Sequence, residues 1–197
     1  MTKEEARTKD KLIEATLAEI VARGWGGVRS RAVAERAGVN NALVHYHFGS
    51  MDNLLVEAAA TAFARLLETF GAEAMAAPTI AAGISAASRE LGRIDSQDPV
   101  WQVLMEAFVQ SRRHPRLADM AIGLLEAYRT ALAERLSEAV ARGELPESSD
   151  VEGLAVALTA MVDGLGLHAW VDPEIDAPRA GEAVARLLGG TGGEERT

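Results

Sequence analysis

Apolar positions along this 197-residue chain recur at intervals of three and four residues, the spacing that places them on one side of an α-helix. The spacing first occurs at Leu12, Thr16 and Ile20, in a segment that ends at Arg23-Gly24. Two longer stripes follow: Leu54, Leu55, Ala58, Ala62, Leu66 and Phe70, and then Leu117, Met120, Leu124, Tyr128, Leu132, Leu136 and Val140. A loop rich in helix breakers is expected between them, at residues 71–78. Runs of alternating β-branched residues are almost absent, so we predict an all-α protein.

The segment from Ser30 to Phe48, SRAVAERAGVNNALVHYHF, predicts two short helices joined by a tight turn. The first would run from Ser30 to Ala37. Gly38 would end it, because glycine tolerates the positive φ that such a turn needs. Asn40 is a good N-cap for a second helix of about two turns, with Val44 on its buried side. This is the sequence form of a helix-turn-helix.

The outer side of the second short helix has the chemistry of a DNA-reading surface. Amides and small side chains at a helix N-terminus can approach base edges in the major groove, and Tyr or His can bond phosphate oxygens. The residues on this side are Asn41, Ala42, His45 and Tyr46. An ordinary helical hairpin is the alternative. The amphipathic segment upstream favours a three-helix DNA-binding domain with one small core.

The run VAERAGV followed by VHYHFGSMDNLL resembles the N-terminal domain of the TetR (tetracycline-repressor) family of bacterial transcription regulators. The similarity in motif covers roughly residues 9–55. It implies a helix-turn-helix DNA-binding domain over 1–51, joined to a larger helical ligand-binding and dimerisation domain over 52–197. It also implies that 40–47 lies in the major groove while residues near Ser30 hold the DNA backbone. The DNA-binding candidates are Arg29, Ser30, Arg31, Asn40, Asn41, Ala42, His45, Tyr46 and His47.

Two residues depart from the family's pattern, which commonly has tyrosine at His45 and lysine at Met51, both in contact with phosphate. Met51 cannot form an ion pair, so helix N-terminal amides, Arg29 or Arg31 would have to replace that contact. His45 can donate to phosphate more strongly when it is protonated. We therefore expect operator affinity to rise as the pH falls.

Charge is unevenly distributed along the chain, whose net charge is −9. Residues 1–51 hold eight Lys or Arg and six Asp or Glu, a balance of +2, and the remainder therefore carries −11. This asymmetry would turn the N-terminal domain toward DNA, although a solvated surface without functional polarity is the alternative. The absence of cysteine excludes disulfides and thiolate metal sites and fits a cytoplasmic location.

The most apolar segment, residues 151–171, contains Glu152, Asp163 and His168. We therefore expect a buried or dimer-forming helix rather than a membrane span, and MTKEEARTKDK at the start lacks the apolar run of a secretory signal. Ser149 and Glu152 would form a capping box. A shorter helix is expected over 178–188, and the two would build a four-helix bundle with a twofold mate, as the family resemblance implies. A simply buried helix is the alternative. The interface candidates are Leu154, Leu158, Met161, Val162 and Leu165.

A ligand cavity is expected in the C-terminal domain, where aromatic and thioether side chains gather on two successive helices. Each of these residues could equally be plain core. A cationic or amphipathic ligand and a neutral lipid-like molecule are both compatible with the composition. The candidates are Trp101, Met105, Phe108, Met120, Leu124 and Tyr128, with Asp163 or His168 as a polar anchor.

No metal, cofactor or enzymatic activity is predicted. His45 and His47 lie about 200° apart on a helix and cannot share one ion. No serine lies in a GxSxG elbow, and no glycine-rich phosphate loop follows a strand. The sequence therefore predicts a homodimeric repressor released from a palindromic operator by a small-molecule effector. The alternative, favoured mainly by Met51, is a helical small-molecule binding or adaptor protein without effective DNA binding.

Overall fold

A computed structural model of the chain describes residues 2–94 and 98–189, and over these ranges it contains helices and no strand. The all-α prediction is therefore confirmed. A 3₁₀ turn at Trp25–Gly27 separates the first two helices. In chain order the helices are α1 (Lys3–Arg23), α2 (Ser30–Ala37), α3 (Ala42–Phe48), α4 (Met51–Leu66), α5 (Ala72–Ala76), α6 (Ile80–Leu91), α7 (Pro99–Ser111), α8 (Pro115–Ala141), α9 (Val151–Val171) and α10 (Ala177–Gly189).

Side-chain caps explain where several helices begin. Thr2 forms a capping box with Glu5 at the start of α1, and the Asp98 carboxylate accepts from the first N–H groups of α7. The cap of α9 is Asp150, whose Oδ1 accepts from the Gly153 N–H at 2.9 Å. The predicted Ser149 capping box was wrong, because α9 begins one residue later than that box requires.

The segment after α4 is helical where a loop was predicted. Residues Leu67–Gly71 form a single π-helical turn and lead directly into α5. The alanine-rich sequence AEAMA has high helix propensity, which outweighs the glycine before it. The loop prediction for 71–78 was therefore wrong over 71–76.

Packing divides the described residues into two units, of which the first comprises those within 1–65 and 97–122. Its core joins α1 to α4 with α7 and the first turn of α8, through Leu12, Ile20, Val33, Val44, Leu54, Val103 and Leu117. The helix-turn-helix thus shares one core with α7. These packing units are not the functional domains predicted at 1–51 and 52–197, and that functional division stays a prediction.

The second unit comprises the described residues within 66–96 and 123–197. Its core includes Ile80, Ile84, Leu136, Ala139, Ala155 and Leu158. α6 and α10 approach each other closely at Gly181, where an added Cβ would lie only 1.7 Å from Ser88 Oγ. Only glycine fits at this position, since any side chain would overlap the serine.

Much of α9 is not covered by the rest of the chain. Three apolar residues on it, Val156, Leu167 and Val171, are 49%, 40% and 67% exposed. The helix has 21 residues and a mean hydropathy of 1.5 over its most apolar window, so it is long and apolar enough to cross a membrane by those two criteria. The prediction of a buried or dimer-forming helix rested on Glu152, Asp163 and His168, which all lie on this helix.

Candidate nucleic-acid interface and effector site

The turn between α2 and α3 has the geometry that the sequence predicts. Gly38 adopts φ +66°, and its N–H donates to the Glu35 carbonyl at 3.1 Å. The Val39 N–H donates to the Ala34 carbonyl at 3.0 Å. No heavy atom lies within 4 Å of a Cβ added to Gly38. Glycine is therefore required here by its backbone conformation and not by lack of space.

The start of α3 differs by one residue from the prediction. Asn41, not Asn40, precedes the first helical residue, and its side chain makes no capping hydrogen bond. Asn40, one residue earlier in the chain, makes the hydrogen bond to the start of the helix instead: its Oδ1 accepts from the Ala42 N–H at 2.8 Å. Two asparagines in a row allow this arrangement, since a short polar side chain readily bonds the backbone two residues on.

The two sides of α3 are chemically distinct. Val44 and Phe48 are buried in the core of the first unit, whereas Tyr46 is 71% exposed. His47 is half-buried, with its ring edge-on to Tyr46 at a centroid distance of 5.0 Å. The solvent-facing candidates at and around this helix are Asn40, Ala42, His45 and Tyr46, while Asn41 and His47 are partly covered.

The candidates before α2 have different settings. The Arg29 guanidinium donates to the carbonyls of Gly26 and Val28 at 2.8 and 2.9 Å, so it is held against its own loop. Arg31 is exposed, and Ser30 is half-buried at the first position of α2. Both arginines beside the start of α2 are thus exposed, but only Arg29 is held by hydrogen bonds to its own loop.

A buried ion pair that was not predicted from the sequence fixes α2 against α1. Glu19 is 2% exposed, and its carboxylate contacts Arg36 Nε at 2.8 Å and Arg23 Nε at 2.7 Å. The hydrogen bond from Arg36 is the main cause that lowers the pKa of Glu19, and burial opposes it. The i,i+4 spacing of Glu19 and Arg23 was the available signal. Nothing local indicated Arg36.

His45 has a defined partner at the end of α3. Its Nδ1 lies 3.3 Å from the Gly49 carbonyl oxygen. Because a carbonyl only accepts hydrogen bonds, a hydrogen bond here by the neutral imidazole requires the ring proton to be on Nδ1. Nε2 is then bare and can donate to a phosphate only when the ring is protonated.

Asn53 joins the end of α3 to the start of α4, a further contact that the sequence analysis missed. Its Nδ2 donates to the Phe48 carbonyl at 2.7 Å, and its N–H donates to Ser50 Oγ at 3.1 Å. Arg116, from the first turn of α8, donates to Asn53 Oδ1. His114 Nδ1 lies 3.2 Å from the Asp52 carboxylate. The turn between α7 and α8 is therefore attached to the junction between α3 and α4.

The ligand candidates are divided between the two units. Trp101 is buried, its Nε1 has no hydrogen-bond partner among the residues described, and Phe108 packs on Phe63 at a centroid distance of 6.2 Å. The first unit holds Trp101, Met105, Phe108 and Met120, and the second holds Leu124, Tyr128, Asp163 and His168. His168 is exposed. Neither unit by itself brings the eight candidates together.

The second unit contains an apolar cavity of about 40 Å³. Among the predicted ligand residues only Tyr128 lines it, whereas Leu158, Met161 and Val162, predicted for the dimer interface, lie on its wall. A volume this small holds a water molecule and no larger ligand. The full lining is Ala74, Met75, Ile80, Gly83, Ile84, Ala87, Tyr128, Leu132, Arg135, Leu158, Met161 and Val162.

Polar groups lie on α8 and α9 beside this cavity. Burial is the main cause that raises the pKa of Tyr128, and the Asp163 carboxylate raises it further. Burial also raises the pKa of Asp163, against the opposing charge of Arg129. Arg135 is occupied by the backbone, since it donates to the Ala77 carbonyl at 2.8 Å and to that of Met75. Asp163 interacts with Tyr128, which lines the cavity, whereas His168 is exposed. Of the two predicted polar anchors, Asp163 is therefore the better candidate.

The residues predicted for the dimer interface are not the most exposed apolar residues of α9. Leu158 is buried, and Leu154, Met161, Val162 and Leu165 are half-buried. The freely exposed apolar surface is formed instead by Val156, Leu167 and Val171. Over residues 2–94 and 98–189, no three His, Cys, Asp or Glu side chains are grouped so as to hold a metal ion.

Two family descriptions match the chain. Residues 12–58 match the bacterial regulatory proteins of the tetR family, and residues 84–191 match the C-terminal domain of BetI-type transcriptional repressors. The HTH-type transcriptional regulator BetI of Rhizobium meliloti (strain 1021) is 30% identical over 154 residues, which are 78% of this chain and 73% of that protein.

Solved structures show the same fold. A transcriptional regulator from Rhodococcus sp. Rha1 is 26% identical with a TM-score of 0.72, and the match covers 93% of this chain and 95% of that one. For a putative transcriptional regulator from Pseudomonas aeruginosa PAO1 the TM-score is 0.78 at 24% identity, over 95% and 90% of the two chains. The polar side of α3, the turn at Gly38 and these matches lead to one conclusion: the chain belongs to the TetR family of transcriptional regulators, with a C-terminal domain of the BetI type.

Proposed function

We propose that this TetR-family regulator acts in the cytoplasm as a homodimeric repressor of a palindromic operator and is released from it by a small-molecule effector. The observation that carries the proposal is the asymmetry of α3. Its apolar side is fully used by the core through Val44 and Phe48, whereas Tyr46 and His45 face solvent. An exposed tyrosine on this seven-residue helix leaves its ring and its hydroxyl available to a partner outside the chain.

Base edges and phosphates would be contacted by different residues. The start of α3 would enter the major groove, where Asn40, Asn41 and Ala42 are close enough to reach bases. Tyr46, His47 and His45 would contact the backbone on one side of the groove, and Ser30 and Arg31 on the other. Arg29 would support the loop through Gly26 rather than reach DNA itself.

Dimerisation would use the exposed apolar side of α9 together with α10. A second copy that covers Val156, Leu167 and Val171 removes apolar surface from water, which is the main driving force for association. Leu154 and Leu165 would lie at the edge of that contact. Twofold symmetry then presents two α3 helices to half-sites about 34–36 Å apart.

The effector would bind the second unit beside Tyr128 and Asp163. Since the cavity there has about 40 Å³, an effector must enlarge it, and side chains such as Met75 and Met161 can move to allow this. Asp163 would anchor a cationic or amphipathic molecule, and the apolar walls would equally accept a neutral lipid-like one. Release from DNA can be no stronger than the effector's preference for the non-binding conformation.

The test measures binding to the DNA upstream of the chain's own gene. Fluorescence anisotropy reports the binding, with an unrelated duplex as competitor. Tyr46→Ala should lower operator affinity by about ten- to a hundredfold, because a phosphate or base contact is worth about 1–3 kcal/mol. Tyr46→Phe, which keeps the ring, tests the hydroxyl. Thermal unfolding of both variants should match the parent, since Tyr46 is exposed. Absence of any sequence-selective binding by the parent would favour the small-molecule binding or adaptor protein.

A further inference from the structure

The turn between α7 and α8 gathers three arginines. Arg112 and Arg113 follow the last residue of α7, and Arg116 is the second residue of α8. All three are exposed. We refer to Arg112, Arg113 and Arg116 as the arginine corner.

No carboxylate among the described residues forms an ion pair with the arginine corner. Ion pairs to carboxylates occupy Arg23, Arg36 and Arg65, but the residues described include no such partner for any member of the corner. Arg116 bonds the neutral amide of Asn53. The N-terminus of α8 adds a partial positive charge at the same place. Three cations that lie at one turn without an ion pair among residues 2–94 and 98–189 stand out in a chain of net charge −9.

Contacts attach this corner to the DNA-reading end of the first unit. Arg116 donates to Asn53, whose Nδ2 donates in turn to the Phe48 carbonyl at the last residue of α3. His114, between the arginines, contacts the Asp52 carboxylate at 3.2 Å, and its ring centroid lies 6.4 Å from that of Trp25. The corner is thus within one side chain's length of the junction between α3 and α4.

That junction is where a phosphate is expected when α3 binds DNA. A helix of seven residues is about 10 Å long, close to the width of the major groove at about 12 Å. When the N-terminal residues of such a helix reach base edges, its C-terminal end lies near the phosphates at the rim of the groove. The N-terminus of α4 follows there after two residues, but its first side chain, Met51, cannot bind an anion.

From this we infer that the arginine corner contacts operator phosphates beside the C-terminal end of α3. From the turn between α7 and α8 it supplies the positively charged contact to the DNA backbone that Met51 cannot make. The contact is electrostatic and independent of DNA sequence, since only phosphates are within reach. Asn53 holds Arg116 in place in the absence of DNA. The inference rests on the proposed function, because it requires α3 to bind DNA.

The test compares the salt dependence of DNA binding in the full-length dimer. Each phosphate contact contributes about 0.9 to the slope of log affinity against log salt concentration. In a dimer, each protomer loses at least one phosphate contact in the double variant Arg112→Gln with Arg113→Gln. The magnitude of the slope should therefore fall by about 2 or more. Operator and unrelated DNA should weaken alike. Arg116→Gln should flatten the slope further, and Arg116→Lys should restore it because it keeps the charge.

The matched control is Arg89→Gln with Arg142→Gln, which removes two exposed arginine charges from the second unit outside α9 and α10. Its slope should equal that of the parent. If the corner variant and this control had the same slope, or if the corner variant bound more weakly with an unchanged slope, the phosphate contact would be overturned and the corner would act only on the protein's own structure. Failure of the parent to bind DNA selectively is a separate result, and it would overturn the proposed function together with this inference.

Discussion

Helices α3 and α9 both present side chains that their own chain does not cover, but the chemistry of those side chains is opposite. α3 buries Val44 and Phe48 and exposes polar groups around Tyr46. α9 exposes the apolar Val156, Leu167 and Val171. A polar exposed side is stable in water and fits a polar partner, whereas an apolar one is stabilised only when another surface covers it. The comparison supports the proposal that the first helix contacts DNA and the other contacts a second copy of the chain.

The two helices also differ in how they are stabilised. α9 has 21 residues and an Asp150 cap, while α3 has seven residues and is too short to be stable alone. The conformation of α3 depends on Gly38, on Asn40 and on the bond from Asn53 to Phe48. The conformation of α3 is therefore more sensitive to its neighbours than that of α9.

The largest effect is expected when the apolar side of α9 is made charged. Val156→Glu with Leu167→Glu should convert the dimer to a monomer, because two carboxylates would be buried at the interface. Operator affinity should fall by about a hundredfold or more, since the second half-site no longer binds intramolecularly. Sedimentation velocity and anisotropy measure the two changes.

The control for this variant is Val109→Glu with Ile122→Glu, which alters two apolar residues that are 65% and 53% exposed in the first unit. It should remain dimeric and bind DNA. A charged α9 that still sediments as a dimer would remove the basis for the comparison between the two helices.

A smaller effect is expected from the contact between α6 and α10. Gly181→Ala should lower the free energy of unfolding by about 1–3 kcal/mol, because its Cβ would overlap Ser88 Oγ and Cβ at 1.7 and 2.2 Å. Ser88→Gly in the same chain should recover most of the loss, because it removes both atoms. The control is Gly123→Ala on α8, where no heavy atom lies within 4 Å of the new Cβ, so stability should stay equal or rise. Urea unfolding compares these variants, and equal stability of the two alanine variants would contradict the packing at Gly181.

Glu19→Gln should lower the free energy of unfolding by about 1 kcal/mol at neutral pH, because it weakens the ion pair between α1 and α2. Because the folded-state pKa of Glu19 lies below its ordinary value of 4.5, the stability that the carboxylate contributes is present above about pH 4.5. It is lost as the pH falls through the folded-state pKa. Urea unfolding of parent and variant should therefore converge in acid.

Glu14→Gln is the matched control, because the Glu14 carboxylate pairs with Arg65 on the exposed surface. It should change stability by much less. A difference between parent and Glu19→Gln that did not depend on pH would contradict the role of the carboxylate charge.

The smallest effect concerns His45. Since Nδ1 faces the Gly49 carbonyl, protonation adds a donor at Nε2, and operator affinity should rise by less than about tenfold between pH 8 and pH 6. His45→Gln should lose this pH dependence while retaining selective binding. Titrations at both pH values in the same salt measure it, and equal parent affinities would exclude His45 as a phosphate donor.

The helix-turn-helix could be predicted because its signals lie within a few residues of one another. Gly38 ends α2 by its positive φ, and Val44 marks the buried side of α3. The cap at Asn40 was displaced by one residue, since two adjacent asparagines offer nearly equivalent side chains. The ligand residues could not be located in the same way, because aromatic and thioether side chains serve core and cavity equally well.

By itself, then, the sequence determined the all-helical class, the turn at Gly38 and the polar side of α3. These depend on contacts between residues at most five positions apart, and helical periodicity records most such contacts directly. Only the tertiary structure decided that Arg36 binds Glu19, that Asn53 lies between Phe48 and Arg116, and that Gly181 packs on Ser88. These pairs are separated by up to 93 residues. Such contacts are selected by the packing of whole helices, and no local pattern of residues encodes them.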